Sequence, residues 1–210
     1  MISRIFTVVL LSLLAGAALG AGDPEAGKKF YSTCVACHGD QGQGSPTLNS
    51  PAIAGQDAAY LIRQLENFKT GVRGADSADT PGGQMRSMAA TLSGKVAVID
   101  VVAYIETLSG GEGVSGAAPV PEFNERNGEN QYNAACGACH GSSAEGNPRL
   151  NAPRLAGLDE NYLRRQYENY TSGLRGSGPD DQYGRQMQMM TSMLASEQDL
   201  DDVIGFIVAQ

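Results

Sequence analysis

The residues best suited to chemistry are four cysteines and two histidines, and all six lie in two short segments. The segment "CVACHGDQGQG" begins at Cys34, and "CGACHGSSAEG" begins at Cys136, 102 residues further on. The six residues are Cys34, Cys37 and His38 in the first segment, and Cys136, Cys139 and His140 in the second. Two thiols three residues apart lie on one side of a helical turn. Each segment therefore presents two thiols and an adjacent imidazole to the same ligand.

Four interpretations of these segments compete. A disulfide gives no reason for a histidine to follow the second cysteine twice, and a thioredoxin-like site needs a βαβ context that is missing. One zinc site made from both pairs would need ligands much further apart in sequence than is usual. The pattern C-x-x-C-H marks the attachment of haem c, with both thiols bonded to the porphyrin and the histidine under the iron. The sequence thus predicts two covalently bound haem c groups.

A sixth iron ligand is expected to be methionine, because no further cysteine or histidine remains. Six methionines follow residue 21: Met85, Met88, Met187, Met189, Met190 and Met193. The 102-residue register pairs Met85 with Met187 and Met88 with Met190. Spacing alone leaves either pair as the ligands and the other as packing residues.

Other residues near the motifs also recur in this register. Pro51 and Pro153 follow the two motifs at equal distances, and their carbonyls are expected to accept the second N–H of each histidine, which would orient the ring. Arg73 and Arg175 are candidates to pair with haem carboxylates, although arginines are more common on surfaces.

The chain is written twice, which decides its domain organisation. Residues 30–105 align with residues 132–207 without a gap, and a repeat of this length with two copies indicates tandem domains. Apolar residues recur at helical spacing, as after Asp57, and no stretch alternates at strand period. We expect an all-α fold with helices joined by long loops rich in glycine and proline. The expected divisions are a signal peptide at 1–20, domain 1 at 21–108, a Gly/Pro-rich linker at 109–122 and domain 2 at 123–210.

Charge and the amino terminus indicate the compartment and the partners. An apolar run after Arg4 ends in small residues, which predicts an export signal cleaved near Gly20/Ala21 and a periplasmic protein, with a retained membrane anchor as the alternative. The formal net charge is −8. An acidic protein without a basic run is not expected to bind nucleic acid, and it favours partners with basic faces.

Each half reads C-x-x-C-H, then P-x-[IL]-A-G, then Y-L-x-[KR]-Q, then M-x-x-[MV], and in this combination the chain resembles the dihaem cytochrome c4 family. The resemblance implies two class I cytochrome c domains, His/Met ligation of both irons and electron transfer without enzymatic activity. It selects Met85 and Met187 as the axial ligands, and it supports the contacts of Pro51 and Pro153.

Two positions depart from the repeat. Leu158 stands where the first half has Gln56. Glu129 stands where the first half has Gly27, and Gly128 precedes it, so the contact of that helix is expected to be shifted.

The leading functional hypothesis is a shuttle that takes electrons from a quinol–cytochrome c oxidoreductase or a dehydrogenase and delivers them to a terminal oxidase or reductase. The alternative is a permanent cytochrome subunit of a sulfide, thiosulfate or alcohol dehydrogenase. A dihaem peroxidase is disfavoured, since it needs an open iron site and usually more histidine. The expected partners are redox proteins, and any membrane association is expected to be peripheral and through them.

Overall fold

A computed structural model describes residues 22–110 and 122–210. The predicted signal peptide at 1–20 and most of the predicted linker at 109–122 lie outside the described residues. Domain 1 contains α1 (Pro24–Tyr31), α2 (Val35–His38), α3 (Ala58–Thr70), α4 (Thr80–Ala89) and α5 (Gly94–Ile105). Domain 2 contains α6 (Glu125–Ala135), α7 (Gly137–His140), α8 (Glu160–Thr171), α9 (Gln182–Met190) and α10 (Glu197–Val208). Within the described ranges the only β pairing is two isolated bridges, which confirms the all-α prediction.

The central helix of each domain begins and ends at residues that its sequence explains. The Asp57 side chain accepts a hydrogen bond from the Tyr60 amide at the start of α3, and Gly71 ends the helix with φ 80°. Asp159 starts α8 in the same way. An aspartate at the amino-terminal cap satisfies a free backbone donor, and a glycine adopts the left-handed conformation after the last turn at little cost.

The first and last helices of each domain cross at a glycine. A Cβ atom on Gly27 would lie 1.9 Å from the Asp100 carbonyl oxygen, and one on Gly128 would lie 2.2 Å from the Asp202 carbonyl oxygen. The backbones of α1 and α5, and those of α6 and α10, therefore approach closely only because these positions lack a side chain.

The crossing also corrects the ungapped repeat alignment. Gly128 takes the place of Gly27, and Tyr132 takes the place of Tyr31, since each tyrosine hydroxyl donates to the carbonyl after its histidine at 2.7 Å. Both matches are 101 residues apart rather than 102. Domain 2 thus has one extra residue before its first cysteine, and α6 continues to Ala135 to accommodate it. This insertion explains why Gly128, rather than Glu129, takes the place of Gly27.

The core of each domain lies between its last helix and its central helix. Its buried members on the last helices are matched pairs: Val98, Val101, Val102 and Ile105 on α5, and Leu200, Val203, Ile204 and Ile207 on α10. Leu61 on α3 and Leu163 on α8 pack against them. Their spacing of three and four residues places them on one helix face.

The methionine segments are helical, which the expectation of long loops missed. Helix α4 starts at the cap Asp79, whose carboxylate accepts from the Gly82 amide at 3.0 Å, and α9 starts at Asp181 in the same manner. The glycines in these helices interrupt the apolar spacing from which a helix is predicted. Among the described residues, no single helix is both long and apolar enough to cross a bilayer.

Candidate haem-binding site

Each C-x-x-C-H segment forms one helical turn. The His38 amide donates to the Cys34 carbonyl at 2.9 Å, and the His140 amide donates to the Cys136 carbonyl at 3.0 Å. The turn brings two free thiols and one imidazole of each domain together. Burial raises the pKa of the Cys136 thiol to about 11, so the thiol is held in its protonated form before any bond is made.

Both histidine rings are buried and oriented by a proline carbonyl. The Nδ1 atom of His38 lies 2.9 Å from the Pro51 carbonyl oxygen, and that of His140 lies 2.9 Å from the Pro153 oxygen. Burial lowers the pKa of both imidazoles, and the carbonyl contact opposes that shift only partly. The rings are therefore neutral at pH 7, with Nδ1–H donated to the carbonyl and Nε2 left to bind a metal.

The two thiol–imidazole sets open into one continuous cavity of about 520 Å³ that both domains line. Met85 and Met187 lie on its wall and are half-buried. Met88 and Met190 also line it, but they are 39% and 37% exposed. The structure thus brings all the predicted cysteines, histidines and methionine candidates of both domains to one cavity, with the more protected pair at Met85 and Met187.

Two buried arginines meet between the domains. Arg73 donates one N–H to Gln64 of its own domain and another to Gln166 of domain 2, each at 2.8 Å. Arg175 donates to the same two glutamine oxygens, each at 2.8 Å. Four side chains thus close a ring across the interface, and only the recurrence of its members could be recognised from the sequence.

The ring leaves positive charge without a described counter-charge. Arg73 and Arg175 are 7% and 5% exposed. No described ion pair involves either of them, and the Nε atom of each is buried without a hydrogen-bond partner. Two buried cations without an acid are costly, so this wall of the cavity suits an anionic ligand.

Tyr162 lies against the same arginines. Its burial alone would raise its pKa, but the guanidinium groups of Arg73 and Arg175 outweigh that effect and lower the pKa. The Arg73 Nη2 atom lies 3.4 Å from the Tyr162 hydroxyl oxygen. The two guanidinium groups therefore favour negative charge beside them at this interface.

Further contacts between the domains come in reciprocal pairs. Arg63 donates to the side chain and the carbonyl of Asn151 at 3.1 and 2.8 Å. Arg165 donates in the same way to Asn49 at 3.0 and 2.9 Å. One contact has no counterpart: the Gln56 amide holds the backbone of Arg154 with both of its polar atoms. Gln56 departs from the repeat at this position, but its sequence context does not indicate a contact between the domains.

Taken together, the donor set fits haem c. The cavity offers two thiols at attachment spacing, a neutral imidazole nitrogen and a thioether in each domain, and buried guanidinium groups that suit haem carboxylates. Apolar side chains, among them Phe68 and Leu163, line the rest of it.

Comparison with known proteins gives consistent results. The family model described as cytochrome c matches residues 24–109 and again residues 125–210. Cytochrome c4 of Stutzerimonas stutzeri is 31% identical over 191 residues, which cover 85% of this chain and 87% of that protein. The thiosulfate dehydrogenase electron acceptor of Stutzerimonas stutzeri (strain A1501) is 30% identical over 197 residues, 87% of this chain and 84% of that protein.

A solved structure shows the same architecture. The crystal structure of reduced recombinant cytochrome c4 from Pseudomonas stutzeri is similar with a TM-score of 0.66 and 27% sequence identity. The match covers 89% of this chain and 98% of that one. The similarity therefore extends over both domains.

Proposed function

The chain belongs to the dihaem cytochrome c4 family of electron-transfer proteins, and from this premise we propose that it shuttles electrons in the periplasm between a respiratory donor and a terminal oxidase or reductase. Like its relatives, it is an electron carrier rather than an enzyme, and it has two covalently bound haem c groups. The donor is a quinol–cytochrome c oxidoreductase or a dehydrogenase.

The observation that supports this function best is the single cavity lined by both domains. Two metal-binding sets that share one protein-lined space favour passage of an electron from one haem to the other within the chain. Neither site needs an opening for substrate when all the positions around each iron are filled.

The proposed ligands are matched between the domains. His38 and Met85 bind the iron in domain 1, and His140 and Met187 bind it in domain 2. The four cysteines hold the porphyrins covalently, and Pro51 and Pro153 orient the histidines. Arg73 and Arg175 would pair with the haem carboxylates.

Bound haem supplies a reversible one-electron change at iron, and a methionine ligand favours a high reduction potential. The chain's own residues keep the ligand set fixed. Burial keeps each imidazole neutral, the proline carbonyls orient the rings so that Nε2 is free, and the apolar wall limits access of water. The buried guanidinium groups of Arg73 and Arg175 would balance the negative charge of the haem carboxylates.

A redox titration of the holoprotein with visible spectra tests this proposal. We expect two one-electron steps, low-spin haem in both oxidation states and the absorption band of a methionine sulfur on ferric iron. Met85→Ala and Met187→Ala should each remove about half of that band, because each removes one of two ligands. Met88→Ala and Met190→Ala are the matched controls and should retain it.

Two results would overturn the assignment. A high-spin haem that binds peroxide would show an enzyme rather than a carrier. Loss of the band in Met88→Ala with the band intact in Met85→Ala would show that Met88, one helical turn further along α4, is the iron ligand.

The proposed location has its own test. Cell fractionation should recover the holoprotein with the periplasm, and its amino-terminal sequence should begin at Ala21. A protein that stays in the membrane with residues 1–20 attached would show a retained anchor instead.

A second candidate function is a permanent subunit of a periplasmic dehydrogenase. It is supported by the similarity to a thiosulfate dehydrogenase electron acceptor. Sedimentation of protein purified from its native source distinguishes the two roles. A monomeric dihaem protein supports the shuttle, whereas constant co-purification with a dehydrogenase chain supports the subunit.

A further inference from the structure

The outer face of α9 differs from the matched face of α4. In domain 2, α9 carries Met189, which is 67% exposed, and the turn after it carries Met193, which is 55% exposed. Glu197, at the start of α10, is also exposed. The residues 102 positions earlier in domain 1 are Ser87, Thr91 and Lys95, all of them exposed. We call Met189, Met190, Met193 and Glu197 the methionine face.

Charge differs on the same side of the two domains. Lys69 and Arg86 line one groove beside Ser87 in domain 1, and Thr171 and Gln188 stand at the matched positions in domain 2. Asp76 and Asp79 line the same groove of domain 1, and Asp181 stands at the position of Asp79 in domain 2. Arg185, on α9, has no counterpart in domain 1, where Gly83 stands, and it donates to the carbonyls of Gly178 and Pro179.

The difference extends to the whole domains. Residues 22–110 hold seven basic and nine acidic residues, a formal net charge of −2. Residues 122–210 hold seven basic and thirteen acidic residues, a formal net charge of −6. All four lysines of the chain are in domain 1: Lys28, Lys29, Lys69 and Lys95. Domain 2 is thus the part of the molecule that attracts a basic protein most strongly.

Exposed methionines suit a transient protein contact. Their side chains are flexible and polarisable, so they adapt to a partner surface. Interfaces between redox proteins are small and have a polar, charged rim around less polar contacts. Met187, on the same helix, lines the haem cavity, so a partner seated on this face lies close to the proposed iron ligand.

From these observations we propose that the methionine face is the docking surface for a redox protein with an apolar contact patch ringed by lysine and arginine. The matched face of domain 1 keeps a methionine at Met88 but does not bind this partner, because it has hydroxyl groups in place of Met189 and Met193 and a cation in place of Glu197. The proposal rests on the electron-transfer function and adds to it that electrons pass to or from basic partners through domain 2.

The test uses holoprotein labelled with [methyl-¹³C]methionine and, as the probe, a lysine-rich monohaem cytochrome c. We expect the methyl signals of Met189 and Met193 to shift on titration while that of Met88 in domain 1 stays constant. The shifts should fade as salt is raised above about 0.1 M, where the Debye length falls below about 10 Å.

A reciprocal exchange of residues provides the matched control. The triple variant Met189→Ser, Met193→Thr, Glu197→Lys gives domain 2 the residues of domain 1, and probe affinity should fall about tenfold, the usual size for losing central contacts together with a favourable charge. The variant Ser87→Met, Thr91→Met, Lys95→Glu should instead create methyl signals in domain 1 that respond to the probe.

Equal shifts in both domains, or unchanged affinity in the triple variant of domain 2, would overturn the proposal. Tighter binding of an acidic ferredoxin to the methionine face would do so as well. Because these substitutions leave the iron ligands in place, the two reduction steps and the low-spin spectrum should persist in every variant. Their loss in the unaltered protein would instead contradict the electron-transfer function.

Discussion

Asp100 and Asp202 occupy matched positions on the last helices of the two domains, yet they hold different numbers of hydrogen bonds. The Asp100 carboxylate accepts one, from the Asp23 amide at 2.8 Å. Asp202 accepts from the backbone amide of Asn124 at 2.8 Å and from the side chains of Asn127 and Gln198 at 2.7 and 3.0 Å. Both carboxylates tie the first helix of their domain to the last.

The comparison separates what the fold requires from what each half adds. Both domains need a glycine where the first and last helices cross, because any added Cβ would overlap the carbonyl oxygen of the last helix. Only domain 2 supplements the crossing with amide side chains. A common backbone contact therefore persists while the polar contacts around it diverge.

The largest effect is expected from filling the crossing. Gly27→Ala and Gly128→Ala should each destabilise their domain by about 3 kcal/mol, because the helices must separate to admit the methyl group. Thermal unfolding followed by circular dichroism measures the loss. Gly178→Ala is the control, since a Cβ there meets nothing within 4 Å. A normal melting curve for either crossing variant would contradict the close approach.

An intermediate effect is expected from removing one carboxylate charge. Asp202→Asn should cost about 1–2 kcal/mol at pH 7, because hydrogen bonds to a charged group are stronger than neutral ones. Asp100→Asn, with one bond at stake, should cost less than about 1 kcal/mol. Chemical denaturation of both variants at pH 7 measures the difference. Equal losses would show that the added amides contribute nothing.

The same pair predicts a pH dependence. The Asn124 amide, with Asn127 and Gln198, holds the pKa of the Asp202 carboxyl below its usual value. Its contribution is therefore complete above the unfolded-state pKa of about 3.9 and is lost as the pH falls through the lower folded-state pKa. The stability gap between Asp202→Asn and the parent protein should close in that acid range. A gap that widened on acidification would contradict the assignment.

The smallest effect is expected at the unmatched interface contact. Gln56→Leu gives domain 1 the residue of domain 2 and removes the acceptor of the Arg154 amide. Loss of one hydrogen bond of about 1 kcal/mol should speed exchange of that amide about fivefold. The Leu155 amide bonds within domain 2 and should exchange at its normal rate. An unchanged exchange rate of the Arg154 amide would show that it has no hydrogen bond to Gln56.

The sequence predicted the chemistry of the site better than its surroundings. Cysteine and histidine at repeated spacing were sufficient to place both candidate haem sites, because attachment and ligation need those residue types in that order, whereas spacing alone left two methionine pairs open. The extra residue before Cys136 was missed, since an ungapped alignment still matched most of the repeat. Helices α4 and α9 were missed because their glycines weaken the apolar period.

Contacts between the domains could not be predicted from the sequence, for a different reason. Arg63 and Arg165 have the pattern of ordinary surface residues, and only the docked fold shows that each one holds an asparagine of the other domain. Such contacts depend on how two bodies pack, which no local spacing encodes. The ring of Arg73 and Arg175 was anticipated only as two separate candidates for haem carboxylates.

The ring of arginines and glutamines has a consequence for how the two halves can evolve. Exchanging the halves leaves its contacts unchanged, as in an interface between two identical subunits related by a two-fold axis. Gln64 serves an arginine of each half, so one substitution there disturbs both halves, whereas Met189 can change alone. Joining the halves in one chain makes their association independent of protein concentration. The inner surface is therefore constrained to change in matched pairs, and the outer faces are free to specialise.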